Sequence, residues 1–268
     1  MRPEQPSRVI RSAEFLKERH PGWEWRLPST PDEAVLLAGH TPALVARIGH
    51  APDIDEDTPF FPEIADHARR AVGAALDATQ LALSGRRSFA LMRPPGHHCT
   101  RGRAMGFCYL NQIALAALDA AGRGARVAVW DFDAHHGNGT EDILEGRPGF
   151  LFASVHQYPG YPGTGTRSTP TCRNFPVPPH TPRDAHRNAL ARSWADVLAF
   201  RPDVILVSAG FDAYVEDPIT EMTLEADDFA ELGRWLRQAG RPAAAILEGG
   251  YSTDLPALID VFLSAWDN

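Results

Sequence analysis

RVAVWDFDAHHGNGT, residues 126–140, changes character after its fifth residue. The first part, RVAVW (126–130), has the β-branched and aromatic content of a buried strand. Asp131, Asp133, His135 and His136 then follow at once. In extended chain, residues two apart share a face, so Asp131, Asp133 and His135 can point the same way. This stretch therefore reads as a core strand that delivers acids and imidazoles at its carboxyl end.

The same unit recurs on both sides. Ile64, Ala68, Ala71, Val72, Ala75, Leu81 and Leu83 follow a helical period within 63–84, and the apolar run SFALM (88–92) comes next. An Ala- and Leu-rich helix over 110–121, closed by Gly122 and Gly124, leads into the 126–130 strand. Downstream, a short helix near 139–145 precedes strand FLFASV (150–155), and a helix over 186–200 precedes strand DVILVS (203–208). An amphipathic helix over 224–238, ended by Gly240, precedes strand AAAIL (243–247), and a last helix lies near 254–265. Helices alternating with fully apolar strands predict an α/β fold with a parallel sheet covered on both faces. The Pro-, Gly- and Thr-rich segment 159–182 reads as a surface loop of functional length, and 52–62, with Asp53, Asp55, Glu56 and Asp57 among prolines, as a solvated acidic loop.

Reactive residues cluster where these strands end. RPPGHH follows the 88–92 strand with His97 and His98, AGFDA follows 203–208 with Asp212, and EGGY follows 243–247 with Tyr251. In parallel α/β sheets, sites form beyond the carboxyl ends of the strands, so these clusters can converge with DFDAHH. Asp133, His135 and Asp212 together offer two carboxylates and one imidazole, the donor set of a catalytic zinc ion with an open position; ferrous iron or cobalt also suits it. Singly, each residue has a plainer reading: an Asp at a strand end is commonly a cap or turn former, and a lone histidine a hydrogen-bonded core residue. His136 and His156 are assigned that structural role. A rigid imidazole pair, His97 and His98, can orient and deprotonate a water, and the Tyr251 phenol, carried past two glycines, can donate to an oxyanion.

Composition sets the outer limits. The 268 residues, 44% of them hydrophobic, suit one folded domain spanning 1–268. With 26 Lys and Arg against 34 Asp and Glu, the net charge is −8 and no long basic run occurs, which argues against nucleic acid as a partner. No stretch has the length of a membrane span and the first residues lack the apolar core of a signal peptide, so the expected location is cytoplasmic. Cys99, Cys108 and Cys172 are odd in number and irregularly spaced, as expected of reduced thiols.

RPPGHH (93–98), GFCYLN (106–111), DFDAHHGNGT (131–140), SVHQYPGYPGTG (154–165), SAGFDAYVEDP (208–218) and EGGY (248–251) together resemble the zinc-dependent histone deacetylase superfamily, which includes bacterial deacetylase-like amidohydrolases and acetylpolyamine amidohydrolases. The resemblance implies the arginase–deacetylase fold, a three-layer α/β/α sandwich with a mainly parallel sheet. By motif position it implies zinc on Asp133, His135 and Asp212, and a structural potassium ion held around Asp131, Asp133, His135, Ser154 and Val155. It makes His98 the main general base and acid, His97 an assisting imidazole oriented by Asp131, and Asn138 the neutral partner of His98 where many relatives carry Asp.

For the substrate, the resemblance implies that Gly106, Phe107 and Tyr161 wall an acyl-lysine tunnel, with Tyr161 in a loop one residue shorter than in some relatives. Asp57 matches a rim aspartate that grips the substrate, with Asp55 the competing residue; Ile219 matches a gatekeeper that is acidic in one polyamine-selective branch; Arg8 matches the arginine of an internal channel. Tyr214 stands where an arginase-like site has a second metal-bridging carboxylate, which favours a single metal. Relatives place a strand and loop ahead of the motif that here begins the chain, MRPEQPSR, so the expectation is a sheet lacking its first strand and a more open site, or a start displaced from theirs.

The expected activity is removal of acetyl groups from N-acylated primary amines, acetyl-lysine in proteins or peptides before acetylpolyamines. The competing reading is an acyl-amine binding protein without turnover. Oligomeric state is not legible in the sequence.

Overall fold

Six strands form one sheet in which every neighbouring pair is parallel, in the computed structural model, which describes residues 2–267. The chain begins with helices α1 (Pro6–Arg19), α2 (Glu33–Gly39), α3 (Pro42–Arg47) and α4 (Ile64–Leu83), and then alternates. Strand β1 (Ser88–Ala90) is followed by α5 (Gln112–Gly122), β2 (Val127–Asp131), α6 (Asn138–Leu144), β3 (Phe150–Gln157) and β4 (Cys172–Val177). Helix α7 (Arg183–Ala199), β5 (Val204–Ala209), α8 (Ala226–Ala239), β6 (Ala243–Leu247) and α9 (Leu255–Asp267) complete it.

Successive side chains of the central strands enter two separate cores. Ala128, Trp130, Ile205 and Val207 pack on one face with residues of α7, α8 and α9, while Val127, Val129, Val204 and Leu206 pack on the other with residues of α4 and α5. Both faces are dry, which is why these strands read as continuous apolar runs instead of alternating ones. The result is the expected three-layer α/β/α sandwich. A third cluster joins α2, α3 and α4 to the segment containing Cys99, Cys108 and Leu110.

The strand order is β1-β6-β5-β2-β3-β4. From β2 the chain moves outward through β3 and β4, then returns to the other side of β2 at β5 and continues to β6. The direction of winding thus reverses between β2 and β5, and the loops leaving their carboxyl ends part there to open a crevice. Asp133 and Asp212 follow these two strands.

Two sequence expectations change. The 159–182 segment is not all loop, because Cys172–Val177 pairs with β3 as the edge strand. Its alternating burial and Pro176, which an edge strand tolerates, hide it among turn-forming residues. The 88–92 strand is shorter, Ser88–Ala90. Helices α1 to α3 fill the region ahead of α4, and among the described residues β1, which forms the opposite sheet edge, is the first strand, in keeping with a sheet expected to lack the relatives' first strand.

Candidate active site

Asp133, His135 and Asp212 meet in the crevice, each offering a ligand atom within 4.8 Å of the others. Backbone groups hold the carboxylates in place: Ala134 N–H donates to Asp212 Oδ1 at 2.8 Å, and Gly249 N–H donates to Asp133 Oδ2 at 2.7 Å. Glycine is required on the far side. A Cβ on Gly210 would lie 2.0 Å from Asp133 Oδ2, and one on Gly249 would lie 2.1 Å from Asp212 Oδ2. The two carboxylates therefore occupy space that any side chain at 210 or 249 would fill.

The field in this cradle favours a cation. Both carboxylates are fully buried, and His135 Nδ1 lies 2.9 Å from Asp212 Oδ2 and 3.2 Å from Asp133 Oδ1. Burial alone would depress the imidazole, yet the Asp212 and Asp133 carboxylates push its pKa up to about 10. A site that binds a proton this firmly suits a divalent ion, and two carboxylates plus one imidazole is zinc-type ligand chemistry that iron or cobalt can share.

The histidine pair stands beside these residues. His97 Nδ1 lies 3.0 Å from Asp131 Oδ2, and His98 Nδ1 lies 2.8 Å from Asn138 Oδ1. The rings are 4.1 Å apart at their centroids and both are buried. Their environments push them in opposite directions. Burial opposes charge on His97, but Asp133 and Asp131 outweigh it and hold its pKa well above the usual value. Burial, followed by the charges of His97 and His135, holds His98 well below its usual value. The surroundings thus favour the charged form of His97 and the neutral form of His98.

Tyr251 closes the other side. Its ring meets Phe107 edge-on at 5.9 Å, and the Arg8 guanidinium sits 4.6 Å from its centroid. Arg8 reaches this position from α1 by donating to the Gly250 carbonyl at 2.7 Å and the Glu248 carbonyl at 2.6 Å. Phe107 adopts a left-handed backbone, φ 67°, which turns its ring to the cavity at a cost of roughly 1–2 kcal/mol.

A cavity of about 290 Å³ opens above the cluster, lined by His97, His98, Gly106, Phe107, His135, Tyr161, Ile219 and Tyr251, with Asp57, Pro3 and Pro95 also on its wall. Tyr161 lies edge-on to His98 at 5.1 Å, so the shorter loop still brings this tyrosine to the wall. Asp57, not Asp55, lines the cavity; Asp55 Oδ1 instead accepts from the Asp57 N–H at 3.1 Å. Beneath the site, β2 and β3 set Asp131 opposite Ser154, with Val155 next along β3. The Ser154 hydroxyl lies 2.9 Å from His156 Nδ1. His136 is buried between Thr164 and Glu141, in the structural role expected of it.

Two buried acids had no assigned role. Glu248 accepts from the Gly96 and His97 N–H groups at 2.7 and 3.2 Å, and burial pushes its pKa up to about 7. Asp217 accepts from the Tyr251 N–H at 2.7 Å and the Ile219 N–H at 3.1 Å. The motifs EGGY and VEDP contain them, but both act on backbone groups, which sequence does not place.

The histone deacetylase domain model matches residues 2–264. The chain belongs to the histone deacetylase family. An uncharacterized protein of Synechocystis is 36% identical over 96% of this chain and 90% of its own length. A histone deacetylase-like amidohydrolase of Pseudomonas aeruginosa is 38% identical over 74% of this chain, and the match spans only 57% of that protein. Among solved structures, an acetylpolyamine aminohydrolase from Burkholderia pseudomallei superposes with a TM-score of 0.86 at 27% identity, covering 99% of this chain and 91% of that one. Membership places the chain among hydrolases of amide bonds and implies a catalytic divalent metal, for which Asp133, His135 and Asp212 are the candidate ligands. Among the described residues no helix is long and apolar enough to cross a membrane.

Proposed function

We propose that this chain, as one catalytic domain over 1–268, hydrolyses the amide of N-acetylated primary amines. The observation that carries this reading is the convergence of Asp133, His135 and Asp212 under a cavity lined by the His97–His98 pair and by Tyr251. A zinc ion on those three residues would supply Lewis acidity towards the acetyl carbonyl and towards a water. His98 takes a proton from the attacking water. The Asn138 amide oxygen accepts from Nδ1–H, which leaves Nε2 as the base. His97, paired with Asp131, supplies positive charge beside the developing oxyanion, and the Tyr251 hydroxyl donates to that oxygen. Protonated His98 then returns its proton to the departing amine as the carbon–nitrogen bond breaks, giving acetate and free amine. The oxygen-rich set of Asp131, Ser154 and the backbone of Asp133, His135 and Val155 suits a potassium ion that stiffens the loop beneath.

Acetyl-lysine in a protein or peptide is the first substrate class, because Ile219 places an apolar residue on the cavity wall, where it offers no partner to a polyamine cation. Acetylpolyamines are the second reading. They are favoured by the likeness to an acetylpolyamine aminohydrolase and by the exposed acid Asp57 on the cavity wall. Kinetics of the zinc-loaded protein on an acetyl-lysine peptide and an N-acetylpolyamine, side by side, test both. A higher kcat/KM on the peptide is expected. A strong polyamine preference reverses the order, and stoichiometric zinc without acetate release from either substrate supports an acyl-amine binding protein instead.

A further inference from the structure

The turn that carries Tyr251 has no side-chain stiffness of its own. Gly250 has φ 117°, a conformation open to glycine, and Gly249 can bear no Cβ against the two carboxylates. Its shape is therefore imposed from outside. Glu248 N–H donates to Ala209 O at 3.0 Å, Gly249 N–H to Asp133 Oδ2 at 2.7 Å, and Arg8 holds the carbonyls of Glu248 and Gly250. The last backbone group before the phenol, the Tyr251 N–H, goes to Asp217 Oδ2 at 2.7 Å.

Asp217 is well placed to fix that atom. It is only 6% exposed, and its own N–H donates to Tyr214 O at 2.9 Å, so the carboxylate projects from a hydrogen-bonded turn. Its second oxygen accepts from the Ile219 N–H at 3.1 Å. One carboxylate thus ties the tyrosine to the residue on the cavity wall. Neither oxygen reaches a ligand atom of the metal cluster.

We propose that Asp217 is a positioning residue that acts through Tyr251: it fixes the phenol's backbone at the distance the oxyanion requires and registers it against Ile219. The proposal rests on the reading of Tyr251 as oxyanion donor. Misplacing a reacting group by about 1 Å can cost on the order of a hundredfold in rate, and the Tyr251 ring hangs from the Cα bonded to the nitrogen whose N–H Asp217 accepts. An amide at 217 can accept only one of the two N–H groups well, because its NH₂ faces a donor; a methyl group accepts neither.

The test is a double-mutant cycle on the zinc-loaded full chain, measuring kcat for acetate release with an acetyl-lysine peptide or N-acetylpolyamine, whichever is turned over. In the wild-type background, Asp217→Asn is expected to lower kcat about tenfold and Asp217→Ala about thirtyfold to a hundredfold, with one zinc per chain retained. In the Tyr251→Phe background, where no phenol remains to be placed, both are expected to change the residual rate by less than about threefold. Equal falls in the two backgrounds, or no fall for either variant, overturn the proposal. If Asp217→Ala does not fold, the near-isosteric Asp217→Asn carries the same comparison. Full activity of Tyr251→Phe alone would overturn the role of Tyr251 and this inference with it, whereas an inactive Tyr251→Phe with additive Asp217 effects overturns only the inference.

Discussion

Replacing Asn138 by Asp changes the charge beside the proposed base while leaving its geometry nearly untouched. Asn138 Oδ1 lies 2.8 Å from His98 Nδ1, and an aspartate oxygen can occupy the same position. At about 3 Å and an effective dielectric near 20, a full charge is worth up to roughly 5 kcal/mol of stabilisation to the imidazolium. Asn138 is half-buried, so solvent takes part of this, and an upward shift of about one to two pKa units is expected. The new charge also sits in the first turn of α6, where the helix dipole favours the ionised carboxylate on which the shift depends. The sign follows from the role of His98. The free enzyme needs it neutral, so the acid limb of kcat/KM against pH lies at its pKa and moves to higher pH by the same one to two units. On the acid limb, below both pKa values, the variant is thus slower by the roughly tenfold to hundredfold that the shift corresponds to, and the difference vanishes above the raised pKa. A profile of kcat/KM from pH 5 to 10 at constant zinc occupancy measures it. An unmoved acid limb with zinc bound would refute the assignment of His98 as the titrating base.

Two further outcomes follow from the packing. In Gly249→Ala the new methyl would sit 2.1 Å from Asp212 Oδ2 and 2.6 Å from Asp133 Oδ2, so the carboxylates must part; zinc affinity, read by competition with a chromophoric chelator, is expected to fall about tenfold to a hundredfold, and wild-type affinity would contradict the cradle. His40 is buried with both ring nitrogens engaged, Nε2 accepting from the Asn111 N–H and Nδ1 facing Thr100 O, and burial drops its pKa from 6.5 to about 4. The unfolded chain therefore binds the proton that the folded chain refuses, and stability is lost as pH falls from 6.5 towards 4. Urea unfolding of His40→Gln should show about 2 kcal/mol less difference between pH 7 and pH 5 than the wild type; an identical difference assigns the acid sensitivity elsewhere.

What the sequence reveals and what it hides divide along physical lines. Strands β2, β3, β5 and β6 are visible because both faces of the sheet are covered, so each opens with an apolar run of at least four residues. The candidate metal-ligand set is visible because the residues leave the ends of those runs. The helices α2 and α3, of seven and six residues, are too short to establish a period. Helix α1 has fourteen residues and is hidden for a different reason: its buried positions are Arg8, Ser12 and Leu16, a correct helical spacing occupied mostly by polar side chains. Ser12 turns its hydroxyl back to the Arg8 carbonyl, and Arg8 spends its guanidinium on the carbonyls around Gly250. The inward face of α1 is polar because it serves the turn that bears Tyr251, so the rule relating periodicity to burial fails where the helix is recruited to the site. Asp217 and Glu248 escape notice for a related reason. Each satisfies backbone N–H groups of another loop, and such bonds leave no pattern of residue types. The chemistry at strand ends can therefore be read from side-chain identity, whereas the scaffold that aims it, made of carboxylates and a guanidinium clasping main chain, emerges only when the turns are placed together.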